Sequence, residues 1–400
     1  MKLHCDIQLP ASKSESNRAL MIAAYGGFAP DFQNLSDSRD TLLLKETLQG
    51  LPFMSFQAKA VRLESIKGKP QVVDIADCGT AARFLTTFLA CHEGRWFLTG
   101  TERMKQRPIK SLIDALLKLG ADIQYVEKQG FLPLQIQGRP IQGGKVSIDM
   151  TQSSQFASSL LLAAPMWPQG LEMEMLGDLS SLPYLNMTLA MMRHFSAQIE
   201  LIGRTIIVKL QPYQKQSFTV EPDWSAASYW YEMAAFSEEC EIRLWFLSLS
   251  KGRPSLQGDT IIADWMSQLG VGTFVENNAV VLRKIPFEKR PLSFDFSQHP
   301  DLYPTIAATC AGLNIEAHFT GLDNLALKES NRVEAMQHEL AKLVNRPVRF
   351  CAHNDHRIVM ALAPLFMKCG PVSFDHPEVV EKSYPDFWKD LSFFCPSFDT

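Results

Sequence analysis

The 400-residue sequence has no surplus of basic residues: 39 Lys and Arg stand against 43 Asp and Glu, a formal net charge of −4. This balance gives no bulk attraction to nucleic acid or to anionic membranes. No stretch approaches the roughly 18 apolar residues that a membrane-spanning helix needs. The opening MKLHCDIQLP does not have the pattern of a signal segment. The sequence therefore predicts neither a nucleic-acid partner nor a membrane partner.

Motifs for zinc, disulfides and nucleotides are also missing. The eight cysteines are scattered, without a CxxC pair or a matching His spacing. They are predicted to be reduced thiols of a cytoplasmic protein. Neither GxxxxGK[ST] nor GxGxxG occurs, so a nucleotide cofactor is not expected. The length and the 46% hydrophobic content indicate a globular protein with room for two domains.

A unit of about 75 residues repeats along the chain. Four segments run from an amphipathic helix through a short break into an alternating strand: LLKLGADIQYV, MMRHFSAQIELIG, WMSQLGVGTFVE and LAKLVNRPVRFCA. Leu119, Phe195, Leu269 and Val344 are equivalent points spaced 76, 74 and 75 residues apart, and Leu48 extends the series by 71. A period this long indicates a supersecondary unit of about two helices and several strands, not a short solenoid repeat.

Amphipathic patterns predict twelve helices, two for each of six units. They lie near residues 14–25, 38–50, 80–92, 107–120, 153–165, 183–197, 223–237, 257–270, 300–313, 329–344, 356–367 and 384–394. The strand-like segments between them lack long β-branched runs, so a doubly wound parallel sheet is not favoured; they are VRLESI, QVVDI, GRWFLTG, KVSIDM, TIIVKLQ and AVVLRKI. Six such units predict an α/β (α+β) protein of two domains.

Basic residues recur where these helices begin. Lys13 and Arg18 lie in or near the first turn of ASKSESNRAL, where the positive end of the helix dipole favours Asp or Glu. Helix N-termini bind phosphate and carboxylate through free N–H groups, and Arg adds bidentate charged donors. Several such termini in one cleft would bind a ligand with several negative charges. The pattern recurs at Gly79, Thr80, Arg83, Arg103, Lys105, Arg107, Ser153, Ser154, Gln155, Lys328, Glu329, Arg332, Asp355, His356, Arg357 and Lys382.

Each of these positions also has an ordinary structural interpretation. A Ser-Ser pair at a helix start is usually a cap, and a single Arg is usually solvated or ion-paired. Asp301 could cap the helix after it, and Glu329 could pair locally with Lys328 and Arg332. In a basic cleft, Asp301 or Glu329 could instead move a proton. His356 could be a base, a ligand or an orienting residue beside Arg357.

Eleven segments in order resemble the 5-enolpyruvylshikimate-3-phosphate synthase family of enolpyruvyl transferases. They are ASKSESNRAL, DCGTAARFLT, ERMKQRPI, SSQFASSLLLAAP, LPYLNMTL, DWSAASYW, LQGDTIIAD, HPDLYPTIA, LKESNRVEAM, NDHRIVMAL and EKSYPDFW. The resemblance implies two similar domains, each of three βαβαββ-like units (an inside-out α/β barrel), with the active site in the interdomain cleft. The chain would cross near 11–12 and 221–223, making residues 1–11 plus 222–400 the lower domain and 12–221 the upper.

The resemblance also implies a reaction. The enolpyruvyl group of phosphoenolpyruvate would pass to the 5-hydroxyl of shikimate 3-phosphate, and phosphate would leave a tetrahedral intermediate, in the shikimate pathway to chorismate and the aromatic amino acids. Asp301 would take the hydroxyl proton, while Glu329 with Lys382 would exchange a proton with the methylene. No metal or organic cofactor is implied, and we expect a monomer.

The family's site residues carry over by position. Those implied in catalysis are Asp301, Glu329, Lys382 and Lys13. Those implied to bind shikimate 3-phosphate are Ser14, Arg18, Ser153, Ser154, Gln155, Ser181, Tyr184, Asp301, Asn324 and Lys328. Those implied to bind phosphoenolpyruvate are Lys13, Gly79, Arg107, Gln155, Arg332, Arg357 and Lys382.

The chain departs from the family pattern in three places. Glu15 replaces an apolar residue, Asp77-Cys78 replaces Asn-Ala, and Asn331 replaces Asp in the KE-x-D-R motif. We expect Asp77 to weaken phosphoenolpyruvate binding and Cys78 to be a small packing residue. The space that a glycine leaves at position 79 implies sensitivity to glyphosate.

Two alternative functions stay open. The enolpyruvyl transferases that act on UDP-N-acetylglucosamine carry a Cys in a GGCxxGxRP-like loop, where this chain has Glu102 in GTERMKQRP, and a Lys-Asn pair, where it has Lys13-Ser14. Both differences favour shikimate 3-phosphate as the acceptor. A non-catalytic anion-binding relative is the second alternative. The acid and base groups of Asp301, Glu329 and Lys382 argue against it, because a pure binder gains little from them.

Overall fold

The structure, a computed structural model, describes residues 1–52, 69–250, 253–344 and 347–394. The predicted strand VRLESI (61–66) and Cys395 lie outside these ranges. The chain divides into two compact units: unit 1 comprises Met1–Lys13, Ser36–Arg39 and Val220–Thr400, and unit 2 comprises Ser14–Leu35 and Asp40–Thr219. The hinge positions at 11–12 and 221–223 stay a prediction.

Fourteen α-helices occur in the described ranges. They are α1 (Lys13–Gly26), α2 (Arg39–Gly50), α3 (Gly79–Cys91), α4 (Glu102–Lys105), α5 (Lys110–Lys118), α6 (Ser154–Ala163), α7 (Leu182–His194), α8 (Trp224–Phe236), α9 (Ile262–Ser267), α10 (Tyr303–Leu313), α11 (Arg332–Leu340), α12 (His356–Leu362), α13 (Phe366–Cys369) and α14 (Phe387–Ser392). All twelve predicted helices are present, although the one predicted near 356–367 is divided into α12, a 3-10 turn and α13. The short helix α4 is additional.

Twenty strands accompany them in the same described ranges. They are β1 (Lys2–Ile7), β2 (Phe32–Gln33), β3 (Gln71–Asp74), β4 (Gly94–Thr99), β5 (Asp122–Tyr125), β6 (Leu134–Gly138), β7 (Gly144–Asp149), β8 (Leu171–Leu176), β9 (Ile199–Ile202), β10 (Thr205–Val208), β11 (Phe218–Thr219), β12 (Glu239–Trp245), β13 (Leu249–Ser250), β14 (Arg253–Pro254), β15 (Val271–Glu276), β16 (Ala279–Lys284), β17 (Leu292–Asp295), β18 (Ala317–Thr320), β19 (Val348–Phe350) and β20 (Val372–Phe374). Five of the six strand-like segments coincide with β3, β4, β7, β10 and β16.

Three four-stranded sheets share one topology. Their strand orders are β3-β4-β6-β5, β7-β8-β10-β9 and β1-β12-β16-β15. In each, the first two strands are parallel and the other two pairings are antiparallel. Outside these three sheets, the described residues also form the parallel strand pairs β2–β11, β17–β18 and β19–β20. The sheets are mixed, as the absence of long β-branched runs predicted, and the repeat corresponds to the βαβαββ unit.

Central helices that are buried on all sides form the two cores. Every residue of α8 in unit 1 is buried, and in unit 2 so are most residues of α3 and α6. Buried hydroxyls in α3 and α6 bond to one another, because buried polar groups require partners. Thr87 Oγ1 lies 2.6 Å from Ser159 Oγ, which donates to the Arg83 carbonyl at 2.6 Å. This pairing fixes the alignment of α3 with α6.

The segment before α5 differs from the sequence-based expectation. A helix was predicted near 107–120, but α5 begins at Lys110 with Ile109 at the N-cap. Thr101 instead caps the unpredicted helix α4, accepting a hydrogen bond from the Met104 N–H at 3.3 Å. Pro108 lies in the turn between these helices, where its carbonyl accepts a hydrogen bond from Arg83 at 3.0 Å.

Two chain segments of unit 1 lie side by side where the chain passes from one unit to the other. Ala11 and Pro222 form an antiparallel bridge. The Ser12 N–H donates to the Glu221 carbonyl, and the Asp223 N–H donates to the Pro10 carbonyl, both at 2.8 Å.

None of the described helices has the length and apolar character needed to cross a bilayer.

Candidate active site

Arg332 is the centre of a buried charge cluster in unit 1. It is the first residue of α11 and only 1% exposed. Its guanidinium donates to the carboxylates of Asp301, Glu329 and Asp355, each at 2.8 Å. Although burial opposes the charge, Asp355, Glu329 and Asp301 raise the pKa of Arg332. A buried cation is stable here because several carboxylates compensate it.

Asp301 is held by two arginines. Its Oδ1 accepts from Arg332 Nη1 at 2.8 Å, and its Oδ2 accepts from Arg357 Nη2 at 2.9 Å. Burial would raise the pKa of Asp301, but Arg357, Lys328 and Arg332 bring it well below the usual value. The interpretation of Asp301 as the cap of α10 is wrong, because Leu302 occupies that position and, within the described residues, the N-cap side chain makes no capping hydrogen bond. Asp301 is therefore a firmly ionised carboxylate.

Asp355 was noted at a helix start but was not assigned a role in the site. Its side chain caps α12, accepting from the Arg357 N–H at 3.0 Å, and it also accepts from Arg332 Nε and Ser330 Oγ. Helices α11 and α12 both pack against α10. Asp355 thus fixes the first turns of α11 and α12 beside Asp301, an arrangement that the sequence pattern alone could not show.

The remaining predicted residues of unit 1 lie on neighbouring elements. Lys382 is buried in the 3-10 turn Pro377–Lys382, which packs against α12. Asn324 is half-buried in the 3-10 turn Asp323–Leu327, directly before Lys328. Lys328 lies close enough to Asp301 to lower its pKa. Lys13 begins α1 and lies half-buried.

His356 is a buried imidazole beside this charge cluster. It is 1% exposed, and within the described residues neither ring nitrogen has a hydrogen-bond partner. Burial, followed by the charges of Lys13 and Arg357, lowers the pKa of His356 well below 6.5. The geometry therefore disfavours a protonated His356.

Sequence reasoning gave no role to Asp259, which lies in the LQGD segment. It is 3% exposed and accepts a hydrogen bond from Ser225 Oγ at 2.5 Å. Burial and the nearby Asp301 carboxylate raise the pKa of Asp259 to about 7. The LQGD segment was noted for its resemblance to the family, but nothing in its pattern indicated that Asp259 would lie near Asp301.

Arg18 is one of the buried cations of unit 2. It is 2% exposed and donates to Thr188 Oγ1 at 2.7 Å, to the Ser14 carbonyl at 2.9 Å and to the Tyr184 carbonyl at 3.1 Å. All three acceptors are neutral. Burial lowers the pKa of Arg18 to about 10, and the influence of Tyr184 and Glu15 only partly opposes this. The environment of Arg18 would therefore favour binding of an anion.

The first turns of α3 and α6 are joined by side chains. Ser153 caps α6, accepting from the Gln155 N–H at 3.1 Å, so the cap interpretation is confirmed. Gln155 Nε2 in turn donates to Thr80 Oγ1 of α3 at 3.2 Å. Ser154 is buried in the same turn. Two helix N-termini, with their free N–H groups, thus lie side by side within unit 2.

Gly79 lies directly against a guanidinium group. A Cβ atom at this position would be 2.7 Å from Arg107 Nη1 and 2.9 Å from Nη2. Arg107 is 8% exposed. A glycine is therefore needed for Arg107 to keep this position.

Ser181 and Tyr184 lie at the start of α7. Ser181 occupies the N-cap in the left-handed conformation, with φ of 56°, and within the described chain its side chain makes no capping hydrogen bond. Such strained backbone is concentrated at functional sites. Tyr184 is half-buried, and its carbonyl holds Arg18.

The positions where the chain departs from the family pattern are placed as follows. Cys78 is buried and caps α3, its Sγ accepting from the Ala81 N–H at 3.4 Å, so it does more than fill space. Glu15 is buried in the first turn of α1. Asn331 is the N-cap residue of α11, but in the described chain its buried Oδ1 has no partner. Glu102 lies where the enolpyruvyl transferases that act on UDP-N-acetylglucosamine carry a Cys. It is exposed and forms an ion pair with Lys105 at 3.0 Å.

Comparison with known proteins identifies the relatives of this chain. The sequence model of the EPSP synthase family, described as 3-phosphoshikimate 1-carboxyvinyltransferase, matches residues 1–391. The 3-phosphoshikimate 1-carboxyvinyltransferase of Bacteroides fragilis is 39% identical, covering 98% of this chain and 95% of the relative. The 3-phosphoshikimate 1-carboxyvinyltransferase of Histophilus somni is 33% identical, covering 96% of this chain and 95% of the relative. A solved EPSP synthase from Acinetobacter baumannii has a TM-score of 0.73 at 20% identity, covering 98% of this chain and 95% of that one, which supports the fold.

Proposed function

The chain belongs to the EPSP synthase family, and we propose that the residues described above carry out that family's reaction. The enzyme is a transferase: it moves the enolpyruvyl group of phosphoenolpyruvate to the 5-hydroxyl of shikimate 3-phosphate and releases phosphate. The assignment of roles rests chiefly on the Arg332 cluster, which brings two arginines and three carboxylates together at the starts of three helices.

Phosphoenolpyruvate would be bound as an anion by charged side chains. The proposed ligands are the charged side chains of Lys13, Arg107, Arg332, Arg357 and Lys382, together with Gly79 and Gln155. Arginine suits this role because its planar donors bind phosphate and carboxylate bidentately. The same groups would stabilise phosphate as it leaves the tetrahedral intermediate.

Shikimate 3-phosphate would be bound by the hydroxyls and helix N-termini of unit 2. Arg18 supplies a buried cation whose hydrogen bonds go to neutral acceptors, so a phosphate or carboxylate would complete its environment. The proposed ligands are Ser14, Arg18, Ser153, Ser154, Gln155, Ser181, Tyr184, Asp301, Asn324 and Lys328.

We propose Asp301 as the acceptor of the hydroxyl proton. While both arginines hold it, its low pKa makes it a weak base. An anionic substrate that binds Arg332 and Arg357 would compete for their positive charge and raise the pKa of Asp301. Its strength as a base would then depend on bound phosphoenolpyruvate. Glu329 with Lys382 would exchange the proton of the methylene. Alignment of both substrates could lower the activation free energy by about 7–11 kcal/mol.

We also propose that the enzyme acts as a cytoplasmic monomer, without a metal or organic cofactor in the reaction. The seven cysteines in the described residues are free thiols. This supports a reducing compartment. The proposed chemistry uses only protons and anions, for which the Arg, Lys and carboxylate side chains suffice.

A phosphate-release assay tests the function. The purified full chain would be given phosphoenolpyruvate with shikimate 3-phosphate, and in parallel with UDP-N-acetylglucosamine. We expect phosphate only with shikimate 3-phosphate. Release with UDP-N-acetylglucosamine instead would support the rival acceptor. Binding of shikimate 3-phosphate without any release would identify a non-catalytic relative.

The variant Asp301→Asn tests the role of the proposed base. We expect kcat to fall by about 10²–10⁴-fold, while the Kd for shikimate 3-phosphate measured by calorimetry changes much less. The exposed Asp323 of the same unit provides the matched control, Asp323→Asn. An Asp301→Asn variant with unchanged kcat would remove Asp301 from the proton transfer.

A further inference from the structure

A second cluster of potential ligands in unit 1 has no role in the proposed reaction. Glu339 is a buried carboxylate that accepts four hydrogen bonds. Its Oε1 accepts from His338 Nδ1 and His353 Nε2, both at 2.8 Å, and its Oε2 accepts from Lys342 Nζ at 2.6 Å and the Cys351 N–H at 2.9 Å. Although burial opposes its charge, these partners, led by Lys342, lower the pKa of Glu339. The cluster of His338, Glu339 and His353 therefore contains a permanent anion between two imidazoles.

The distances fit a small cation. The potential ligand atoms of His338, Glu339 and His353 all lie within 4.8 Å of one another. In a tetrahedral zinc site, bonds of about 2.0–2.1 Å place neighbouring ligand atoms roughly 3.3 Å apart. The two imidazole nitrogens, now 2.8 Å from the carboxylate oxygen, would need to move outward only slightly. His338 and His353 can do so, because their side chains are 67% and 28% exposed.

The ligand types favour a transition metal. Imidazole nitrogen with carboxylate oxygen is a donor set that suits Zn²⁺, Cu²⁺ and Ni²⁺. Mg²⁺ prefers near-octahedral oxygen ligands and is disfavoured here. The exposed side of His338 also leaves a path from solvent and room for a water ligand. The nearby cation is Lys342, which holds the other carboxylate oxygen and would weaken binding without blocking it.

We propose that His338 Nδ1, Glu339 Oε1 and His353 Nε2 bind a divalent transition-metal ion, Zn²⁺ by preference, with water completing the coordination. The ion would replace the two imidazole hydrogen bonds to Oε1. It would join the last turn of α11 to the loop after β19, in which His353 has φ of +52°. The first residue of α11 is Arg332, and Asp355 follows His353 by two positions. The ion would thus brace two elements of the Arg332 cluster without contacting substrate.

Calorimetric titration of Zn²⁺ into the tag-free, metal-stripped full chain tests the proposal. We expect a single site with micromolar or tighter affinity, a rise in Tm with Zn²⁺ but not with Mg²⁺, and the intense visible absorption of tetrahedral Co²⁺ when Co²⁺ is the probe. In the variant His338→Ala with His353→Ala, affinity should fall by more than the 10–100-fold typical of losing an outer-shell partner. The matched control is His318→Ala, which removes an exposed imidazole of the same unit.

The variant Lys342→Met separates a metal site from a hydrogen-bonded network. Removing this cation should tighten Zn²⁺ binding, because it frees the carboxylate from a competing charge. Zn²⁺ affinity that is the same in the wild type and in the double histidine variant would overturn the proposal. So would a wild-type chain whose Tm does not respond to Zn²⁺.

Discussion

Arg332 in unit 1 and Arg18 in unit 2 are both buried cations proposed to bind substrate, and the protein stabilises them in different ways. Arg332 donates to three carboxylates, which raise its pKa. Arg18 donates to a hydroxyl and two carbonyls, and burial lowers its pKa to about 10. One cation is already paired within its own unit, whereas the other depends on neutral dipoles.

This difference separates two contributions that a buried arginine can make. Removing one partner of a buried ion pair leaves the other charges uncompensated, so Arg332 is needed for folding as well as for binding. Arg18 has no carboxylate hydrogen-bonded to it among the described residues, so its charge is available to a ligand. We therefore expect substitutions of Arg332 to affect stability and activity together, and substitutions of Arg18 to affect binding much more than folding.

The largest effect is expected from Arg332→Met. Asp301, Glu329 and Asp355 would lose their shared cation, and the free energy of unfolding should fall by about 3–5 kcal/mol. Phosphate release should be abolished. Urea unfolding and the phosphate assay measure the two effects. The control Arg283→Met breaks the ion pairs of a 32% exposed side chain with Glu276 and Glu241, and it should change the free energy of unfolding much less. Equal stability of the two variants would contradict the comparison.

Arg18→Met should separate binding from folding. Loss of a charged hydrogen-bonding group should weaken shikimate 3-phosphate binding by about 10–150-fold. The free energy of unfolding should change by less than about 2 kcal/mol, because a desolvated cation is removed together with its hydrogen bonds. Calorimetry with shikimate 3-phosphate and urea unfolding provide the measurements. Arg193→Met, at an exposed position of α7, is the control. A destabilisation as large as that of Arg332→Met would show that the two cations are equivalent.

Gly79→Ala should have a smaller and more selective effect. The added methyl group would meet the Arg107 guanidinium at 2.7 Å and displace it. We expect the KM for phosphoenolpyruvate to rise about 10-fold, since overpacking costs about 1–3 kcal/mol, with the affinity for shikimate 3-phosphate unchanged. If glyphosate competes with phosphoenolpyruvate in the wild type, its inhibition should weaken in parallel. An unchanged KM would mean that Arg107 does not contribute to phosphoenolpyruvate binding. Failure of glyphosate to compete in the wild type would refute the predicted sensitivity.

Glu232 provides a third kind of buried ionisable group and the smallest expected effect. Within the described residues neither of its carboxyl oxygens has a hydrogen-bond partner, and burial raises its pKa well above 4.5. The contribution of Glu232 to stability is then fully present below about pH 4.5, and it is lost as pH rises toward the folded-state pKa, because this carboxyl group ionises first in the unfolded chain. Glu232→Gln should therefore stabilise the protein by about 1–2 kcal/mol at pH 7 and much less at pH 4.

Urea unfolding at a series of pH values measures this gain. The control is Glu316→Gln, at an exposed position of the same unit. A gain for Glu232→Gln that does not vary with pH would mean that the wild-type carboxyl remains ionised when folded.

Much of the fold followed from patterns within single segments. The 75-residue spacing marked the ends of corresponding helices: Leu119 and Phe195 are the C-cap residues of α5 and α7. Amphipathic periodicity located all twelve main helices because each buries one face or its whole surface. The helix α4 was missed because its four residues are too few to show a period, and its cap, Thr101, lies in a segment dominated by charge.

The site was predictable in part for the same reason. Caps such as Ser153 are local, and the resemblance supplied positions for the charged groups. The partners of those groups were not predictable. Asp355 lies 23 residues from Arg332, and Asp259 lies 42 residues from Asp301, and no periodicity connects such pairs. Their pKa values depend on these contacts, so the low pKa of Asp301 and the raised pKa of Asp259 became apparent only in the folded structure.

The sequence by itself determined the repeat, the approximate positions of its helices and the family, because each depends on residues close together along the chain or on the order of motifs. The βαβαββ form of the repeat was implied by the family resemblance. The tertiary structure alone decided which charges meet. Arg332 is surrounded by carboxylates and Arg18 by neutral acceptors, although both lie at or near the start of a helix. The reason is that electrostatic energy depends on distance and burial, and both are set by the packing of helices that are far apart in sequence.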